Sequence, residues 1–494
     1  MAFAKVLRNS VWVYVGYLLS SFLGYAYWLL LSRIVDPGTV GSAAATISLS
    51  AMVSAVFSMG IYIGVQRFLG IGYGKGDADL VARYFWTALL MSIALSLCAG
   101  LSLVALSFLG LEGYNFTSSQ LMFAALLTFL GLGSWSGMFT ALFKSTLRTK
   151  FSATASTVSA LLKLCIGLGL VYAGMGLTGI LLGYAISALS FDLFCLFFIS
   201  RNFRMGASNP ISRSAIGDIM RASVVSWIPA LLSLAGQWLG ILGIYSIIGG
   251  HQTGLYYVAF SIASVIYAIP SSILDLLFPV LSGMDDGRKR TMDRAIRLSL
   301  VITVPVALLM LVYPEIPLSL LGENYLAASG VLRVLLSAIL LSPLLSGFSY
   351  LVYSYGKYDY VLLLGLAINA PRIVLYPFLA PARGELGVAL AYVIGFITGL
   401  LACIPLSIKV GFRIPWRYPL LAMLGPLPPL LLSPFIPWQL ACPLSLFSSL
   451  VIYTRSGLLR REDFGDMIFA LLPQERTQKI YPRLSALLRI LYGE

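Results

Sequence analysis

Lys163 and Arg372 stand in stretches where the chain otherwise carries almost no charge. Lys163 interrupts the apolar run 152–173 and Arg372 the run 358–380. At ~1.5 Å of rise per helical residue, each lies ~16–21 Å from the end of its run. An ionisable group that deep in a membrane helix costs about 2.5–3.5 kcal/mol and as a rule faces a protein interior or an aqueous cavity. Two buried cations suggest a cationic cavity for an anionic substrate, unless each pairs with an acid or reaches for the membrane surface. Asp192, in the run 177–199, and Asp275, in the run 254–281, are acids in the same position. Either is suited to carry a coupling proton or cation, or to neutralise one of the bases. Aromatic rings, on which sugars stack, gather in two places. Tyr14, Tyr17, Tyr25, Tyr27 and Trp28 crowd the first apolar run, and Tyr256 and Tyr257 open the eighth. Tyr17 and Tyr25 are spaced to share one helix face and line a cavity. Trp12 and Trp28, near the ends of the run, read as interfacial belt residues.

Other chemistries lack parts. His251 is the single histidine, and Cys98, Cys165, Cys195, Cys403 and Cys442 lie in apolar surroundings without a CxxC spacing. No zinc or iron site, no disulfide framework and no cofactor are expected. The loop Gly70–Gly76 has glycines and a lysine but not the spacing of a phosphate-binding loop. A glycosyltransferase, polymerase or ligase needs catalytic acids or bases on a sizeable external loop. Asp36, Glu112, Glu315, Glu323, Glu385 and His251 are all that the short loops on the sparsely charged side offer.

The elements that must position these groups follow from composition. Of 494 residues, 59% are hydrophobic and 11% charged, against about 25% charged in soluble proteins. A ~30 Å hydrocarbon core takes roughly 20 apolar residues per helix. Apolar runs predict about fourteen spans: 11–32, 40–65, 81–110, 119–143, 152–173, 177–199, 222–247, 254–281, 295–313, 328–354, 358–380, 386–408, 418–436 and 438–454. Prolines interrupt the thirteenth. With the N-terminus inside, nearly all of the 33 lysines and arginines fall on cytoplasmic loops or the tail. Arg33, Arg333 and Arg383 fall outside, and Lys163 and Arg372 fall within the membrane. This bias sets orientation, so both termini are expected in the cytoplasm of a multi-pass plasma-membrane protein. The net charge of +14 then reflects topology, not nucleic-acid binding. At the tail end, Leu484, Leu487, Leu488 and Leu491 recur at helical intervals beside Arg483 and Arg489, predicting an amphipathic helix over Tyr481–Tyr492 on the inner leaflet.

The chain also repeats itself. Gly41 matches Gly254, Gly176-Leu177-Thr178-Gly179 matches Gly384-Glu385-Leu386-Gly387, and Ser145–Arg148 matches Ser354–Lys357, each pair about 210 residues apart, as are Lys163 and Arg372. Six spans per repeat return the chain to the same side, so the halves are parallel lobes that suit alternating access around a central cavity. The expected organisation is an N-lobe over 1–200, a cytoplasmic linker over 201–221, a C-lobe over 222–410, two further helices over 411–454 and a cytoplasmic tail over 455–494.

Certain residues resemble a known family. Leu29–Pro37, then Val40-Gly41, then Gly60 and Gly64 leading to Arg67-Phe68, are similar to the first two helices of oligosaccharide flippases. These belong to the multidrug/oligosaccharidyl-lipid/polysaccharide exporter superfamily. Gly254–Ala259 and Phe278–Ser282 resemble the family's eighth-helix pattern. Gly322–Tyr325 before Val331-Leu332-Arg333 resembles its connection from the ninth helix to the tenth, and Asn369 also fits. The resemblance covers residues 1 to about 410.

It implies an all-α polytopic fold of about fourteen helices, two six-helix lobes like those of the multidrug exporters plus two C-terminal helices. It implies translocation of a polyprenyl-(di)phosphate-linked oligosaccharide from the cytoplasmic to the outer leaflet, through a cationic cavity. Arg33, near the outer mouth, and Arg67, near the inner mouth, sit where relatives often carry arginine, and Arg333 joins them as a candidate for substrate contact. Relatives often carry an acid where this chain has Gln237, so coupling to H+ or Na+ would fall to Asp275 or Asp192. The implied partners are the lipid-linked oligosaccharide, membrane lipids and glycan-assembly enzymes, with a monomeric transport unit. A drug/cation antiporter of the same superfamily is the alternative, though it would want exposed acids where this chain has bases.

Overall fold

The computed structural model describes residues 19–463 apart from 21, 110–114, 132–134, 204–211, 283, 285, 433 and 434. Trp12, Tyr14, Tyr17 and the expected helix Tyr481–Tyr492 lie outside the described residues. The described chain is helical, with no strand. Its elements are α1 (Phe22–Ser32), α2 (Pro37–Phe57), α3 (Ile61–Lys75), α4 (Ala78–Leu109), α5 (Ser118–Phe129), α6 (Ser136–Ser145), α7 (Lys150–Leu162), α8 (Leu168–Leu170) and α9 (Gly176–Asn202). There follow α10 (Arg213–Ile247), α11 (Gly250–Ser282), α12 (Arg288–Val312), α13 (Glu315–Ser319), α14 (Ser329–Ser337), α15 (Ser342–Ser354), α16 (Tyr358–Val410), α17 (Arg417–Leu424), α18 (Leu427–Leu431) and α19 (Trp438–Arg455).

Seven helical stretches are long and apolar enough to cross a membrane, and α14 with α15 makes an eighth if read as one span bent by 44°. The protein is an all-helical, multi-pass membrane protein. Two of the seven, Lys150–Asn202 and Tyr358–Val410, run for 53 residues. A straight helix of that length would reach ~80 Å, far beyond a ~30 Å core, and neither is straight. Gly176 (φ 49°, ψ −126°) breaks the first and Gly384 (φ 61°, ψ −141°) the second, in nearly the same conformation, one open to glycine alone. Three residues on, Gly179 and Gly387 let the second arm lie on the first. A Cβ at Gly387 would run into the Leu379 carbonyl, and one at Gly179 would press on the backbone at Leu170–Val171.

Other turns recur at the same interval. Leu147 (φ 55°) closes α6 and Gly356 (φ 72°) closes α15. In each turn the next N–H reaches back into the helix, Arg148 to Phe143 O at 2.8 Å and Lys357 to Val352 O at 3.2 Å. This is the left-handed C-cap that satisfies orphan carbonyls. Both turns follow a helix pair broken midway, α5–α6 and α14–α15. The expected single run 40–65 is broken as well, at Met59 (φ 46°) and Gly60 (φ 68°) between α2 and α3. There the Trp227 indole N–H donates to Ala55 O at 2.9 Å, meeting a carbonyl near the break.

The chain packs as two compact units. One comprises the described parts of Met1–Val258, Leu320–Ala327 and Asn369–Ala391, the other those of Ala259–Ser319, Ala328–Ile368 and Tyr392–Glu494. In the first, α10 lies against α2, α3 and α4, and an aromatic core forms around Phe85, Phe139 and Phe143. Asp36 caps α2, accepting from the Thr39 N–H at 3.1 Å and its hydroxyl at 2.6 Å, while Pro37 takes the first-turn position that needs no N–H. The first turns of α2 and α11 touch backbone to backbone. A Cβ at Gly41 would strike Gly250 O, and one at Gly254 would strike Pro37 O. In the second unit Met292, Ile296, Leu300 and Phe348 form the core, and Gly347 lets α15 close on Ile296 of α12. Asp463, 1% exposed, ties the chain after α19 to α12. It accepts from Arg294 Nε at 2.6 Å, Arg297 Nη1 at 2.7 Å and the Arg460 N–H at 3.1 Å.

Candidate functional site

Lys163 ends α7 and begins a π-helical turn, Lys163–Gly167. Such turns are rare and occur mostly as single interruptions of α-helices, frequently at functional sites. The turn is seated by glycine contacts. A Cβ at Gly167 would press on Tyr27 Cε2 at 3.0 Å and on Gly183 Cα at 3.3 Å, so only glycine lets α1 and α9 come this close. The Lys163 ammonium lies 4.3 Å from the centre of the Tyr184 ring and 5.3 Å from that of Tyr27. Trp28 braces the cluster, donating its indole N–H to the Tyr184 hydroxyl at 3.1 Å and meeting Tyr257 edge to face at 4.9 Å. Tyr27 is fully buried and its hydroxyl has no hydrogen-bond partner among the described residues. No carboxylate forms an ion pair with Lys163 among the described residues. Its charge is held by ring faces, worth about 0.5–2 kcal/mol depending on desolvation.

Arg372 has a different setting. It is buried on α16, and its Nη1 reaches Asn369 Oδ1 at 3.4 Å. One turn on, the Tyr376 hydroxyl donates to Gly236 O of α10 at 2.6 Å. Gly236 has no room for a side chain, because a Cβ there would meet Asn369 Oδ1. Asn369, Arg372 and Tyr376 thus share the face of α16 that lies on the glycine side of α10. The matched sequence positions carry unlike environments: a half-buried ammonium among rings, and a buried guanidinium beside the Asn369 amide.

The other predicted residues are scattered. Arg33 is exposed and donates through Nε to Leu320 O at 2.8 Å. With Asp36, Asn324 and Tyr325 it lines a cleft of about 300 Å³. Arg67 is exposed on α3, and Tyr25 is half-buried on α1. Arg333 is paired near the surface: Nη2 bonds Glu315 at 2.9 Å and Nε donates to Leu311 O at 3.3 Å, with about half of each charged side chain exposed. Asp192 is buried on α9 beside Ser136, and neither carboxylate oxygen makes a regular hydrogen bond among the described residues. Asp275 lies on α11, its side chain outside the described part of the structure.

Sequence reasoning missed the role of Tyr27, Trp28, Tyr184 and Tyr257. Trp28 is no belt residue, being 8% exposed. The crowding of rings in the first run was visible, but Tyr184 had no signal of its own.

Comparison with known proteins places the chain. A profile described as polysaccharide biosynthesis protein matches residues 30–330. The chain belongs to that family. Lys163 falls within the matched segment and Arg372 beyond it. A relative, the probable flippase AglR of Haloferax volcanii, is 22% identical over 409 residues, which cover 80% of this chain and 82% of AglR. Among solved structures, the lipid II flippase MurJ in an inward closed conformation matches with a TM-score of 0.75 at 15% identity, over 91% of this chain and 100% of MurJ. The multidrug transporter DinF-BH matches with a TM-score of 0.57 at 18% identity, over 83% of this chain and 96% of that one. The chain thus has the fold of these transporters.

Proposed function

We propose that the protein is a flippase that moves a polyprenyl-(di)phosphate-linked oligosaccharide from the cytoplasmic to the outer leaflet by alternating access. The observation that carries this reading is the ring-caged ammonium of Lys163. It is a cation inside a membrane helix, surrounded by the surfaces on which sugars stack and paired with no carboxylate among the described residues. An anionic, sugar-bearing lipid is the ligand that such a group suits. A cationic drug would be repelled by it, which disfavours an antiporter. The family membership and the likeness to AglR and MurJ support the same reading.

We read the helices as fourteen crossings: α2–α3, α5–α6, α14–α15 and α17–α18 as single broken spans, and the two 53-residue stretches as two spans each. The matched turns at Gly176 and Gly384, and at Leu147 and Gly356, support two parallel repeats. The basic loops then face the cytoplasm of the plasma membrane, with both termini inside. Arg33 and Arg67 serve opposite mouths of the pathway, and glycan-assembly enzymes supply and consume the cargo. The test is flipping of labelled lipid-linked oligosaccharide in proteoliposomes. The double variant Lys163→Ala, Arg372→Ala should lose transport at least ~100-fold, the effect of losing about 2.7 kcal/mol of charge-assisted contact, while its thermal unfolding stays near wild type. Full transport by the double variant would end the cationic-site reading.

A further inference from the structure

The first unit contains a cavity of about 500 Å³ whose walls, almost wholly apolar, come from α2, α4, α5, α10, α16 and the chain before α5. Leu49, Leu106, Leu239, Gly243, Ile373 and Tyr376 are among its lining residues. The wall before α5 is fixed in place. Asn115 Nδ2 donates to the carbonyls of Tyr245 and Ser246, each at 3.2 Å, and Gln120 Nε2 donates to the Tyr245 hydroxyl at 2.7 Å. A volume of this size lies in the range of small-molecule pockets, about 300–1,000 Å³, and apolar walls give water few partners.

Charge stands at one end of this cavity. Ile373 and Tyr376 line it, and Arg372 belongs to the same turn of α16. Tyr376 bonds to Gly236 of α10, and Gly236 precedes the lining residue Leu239 by about one turn, ~5 Å along the axis. The guanidinium therefore sits one turn along the α10–α16 seam from a hydrocarbon-lined space. A cation beside an apolar cavity matches an amphiphile with an anionic head.

We propose that this cavity receives a stretch of the carrier's polyprenyl chain while the carrier's phosphate faces Arg372. The inference rests on the flippase reading above and adds a place for the lipid, on the half of α10 nearer Gly249.

Gly243 offers a clean probe. It lines the cavity, and a Cβ added to it would meet nothing within 4 Å, so Gly243→Leu and Gly243→Trp grow into the space without moving backbone. Full-length protein in proteoliposomes is labelled with a polyprenyl phosphate bearing a photoreactive group near its phosphate end. The label should map to 239–247 and 373–377, fall in steps through Gly243→Leu to ~10-fold lower in Gly243→Trp, the equivalent of ~1.4 kcal/mol, and be competed by unlabelled polyprenyl phosphate but not by phosphatidylglycerol. Label elsewhere in the wild type, label indifferent to both substitutions, or equal competition by phosphatidylglycerol would each overturn the proposal. Transport by the wild type in the same vesicles is read separately: its presence alongside mislocated label overturns the chain site and leaves the flippase reading standing, and its absence overturns the flippase reading itself.

Discussion

Asp463 shows how much a single residue's meaning depends on its neighbours. In the sequence, Arg294 and Arg297 are two more cations on a basic cytoplasmic loop. In the structure both point at one buried carboxylate, and Arg297, itself 3% exposed, also donates to Leu458 O at 2.7 Å. Burial opposes the charge on Asp463, but Arg297, the Arg460 N–H and Arg294 outweigh it and hold the carboxyl below its ordinary value. A carboxyl depressed on folding contributes stability that is full above its unfolded value, near 4, and is lost as pH falls through the folded value. Thermal stability in detergent should therefore drop below about pH 4 more steeply in the wild type than in Asp463→Asn, which has no charge to lose. Asp463→Ala at neutral pH should cost about 3–5 kcal/mol, because it strands a buried guanidinium. Parallel acid profiles for wild type and Asp463→Asn would show that the pair contributes nothing. At the proposed site the sequence exposed the buried cations but not their company. Tyr17 and Tyr25 were paired by helical spacing, whereas Tyr27 is the residue under Lys163. A helix apolar all round does not encode which face turns inward; the Gly167–Gly183 contact decides it.

Elements were legible where glycine punctuates them. The hinge at Gly176 and its match at Gly384 could be read as motifs, since a left-handed turn leaves few residues to choose from. The break of the run 40–65 at Met59 and Gly60 could not, because a lone glycine inside an apolar stretch does not by itself end a helix, and a distant Trp227 helps to satisfy the break. The paired C-caps give a prediction at this scale. Leu147 holds the left-handed position that Gly356 holds in the matching turn, and a side chain there costs roughly 1–2 kcal/mol. Leu147→Gly should stabilise the fold by up to about 1 kcal/mol after glycine's extra chain entropy, read as a higher melting temperature, and Gly356→Leu should destabilise it by a similar amount. A fall in melting temperature for Leu147→Gly would mean that packing of the leucine outweighs its backbone strain.

For the whole molecule, the open question is what drives the cycle. A carboxylate enclosed in a closed core can change its charge only in a conformation that admits water or an ion, so a coupling residue must be buried in one state and wetted in another. Asp192, buried on α9 and without a regular hydrogen bond among the described residues, fits the buried half of that requirement. Asp192→Asn should flatten the pH dependence of transport and leave sodium dependence as it was. Unchanged pH and sodium dependence in Asp192→Asn would leave downhill flipping, driven by removal of product outside, as the working cycle. That the chain is an all-helical, multi-pass membrane protein was readable because hydropathy is a local signal. The compact units were not: α10 follows the expected linker, yet it packs with α2, α3 and α4, and side-to-side choices among uniformly apolar helices leave little trace in composition.

The hairpin at Gly384 bears on how the chain enters the bilayer in the first place. Its two arms are joined with no loop, only a bend flanked by Arg383 and Glu385, and Gly387 brings the second arm onto Leu379 before any further residue intervenes. There is no polar tether long enough for the first arm to wait in lipid while the second is still outside. The arms must leave the insertion machinery together, with their backbone groups already paired along both helices. On that view the burial of Arg372 is a matter of biogenesis: the guanidinium travels into the membrane inside a preassembled hairpin, where Asn369 can already accept its hydrogen bond.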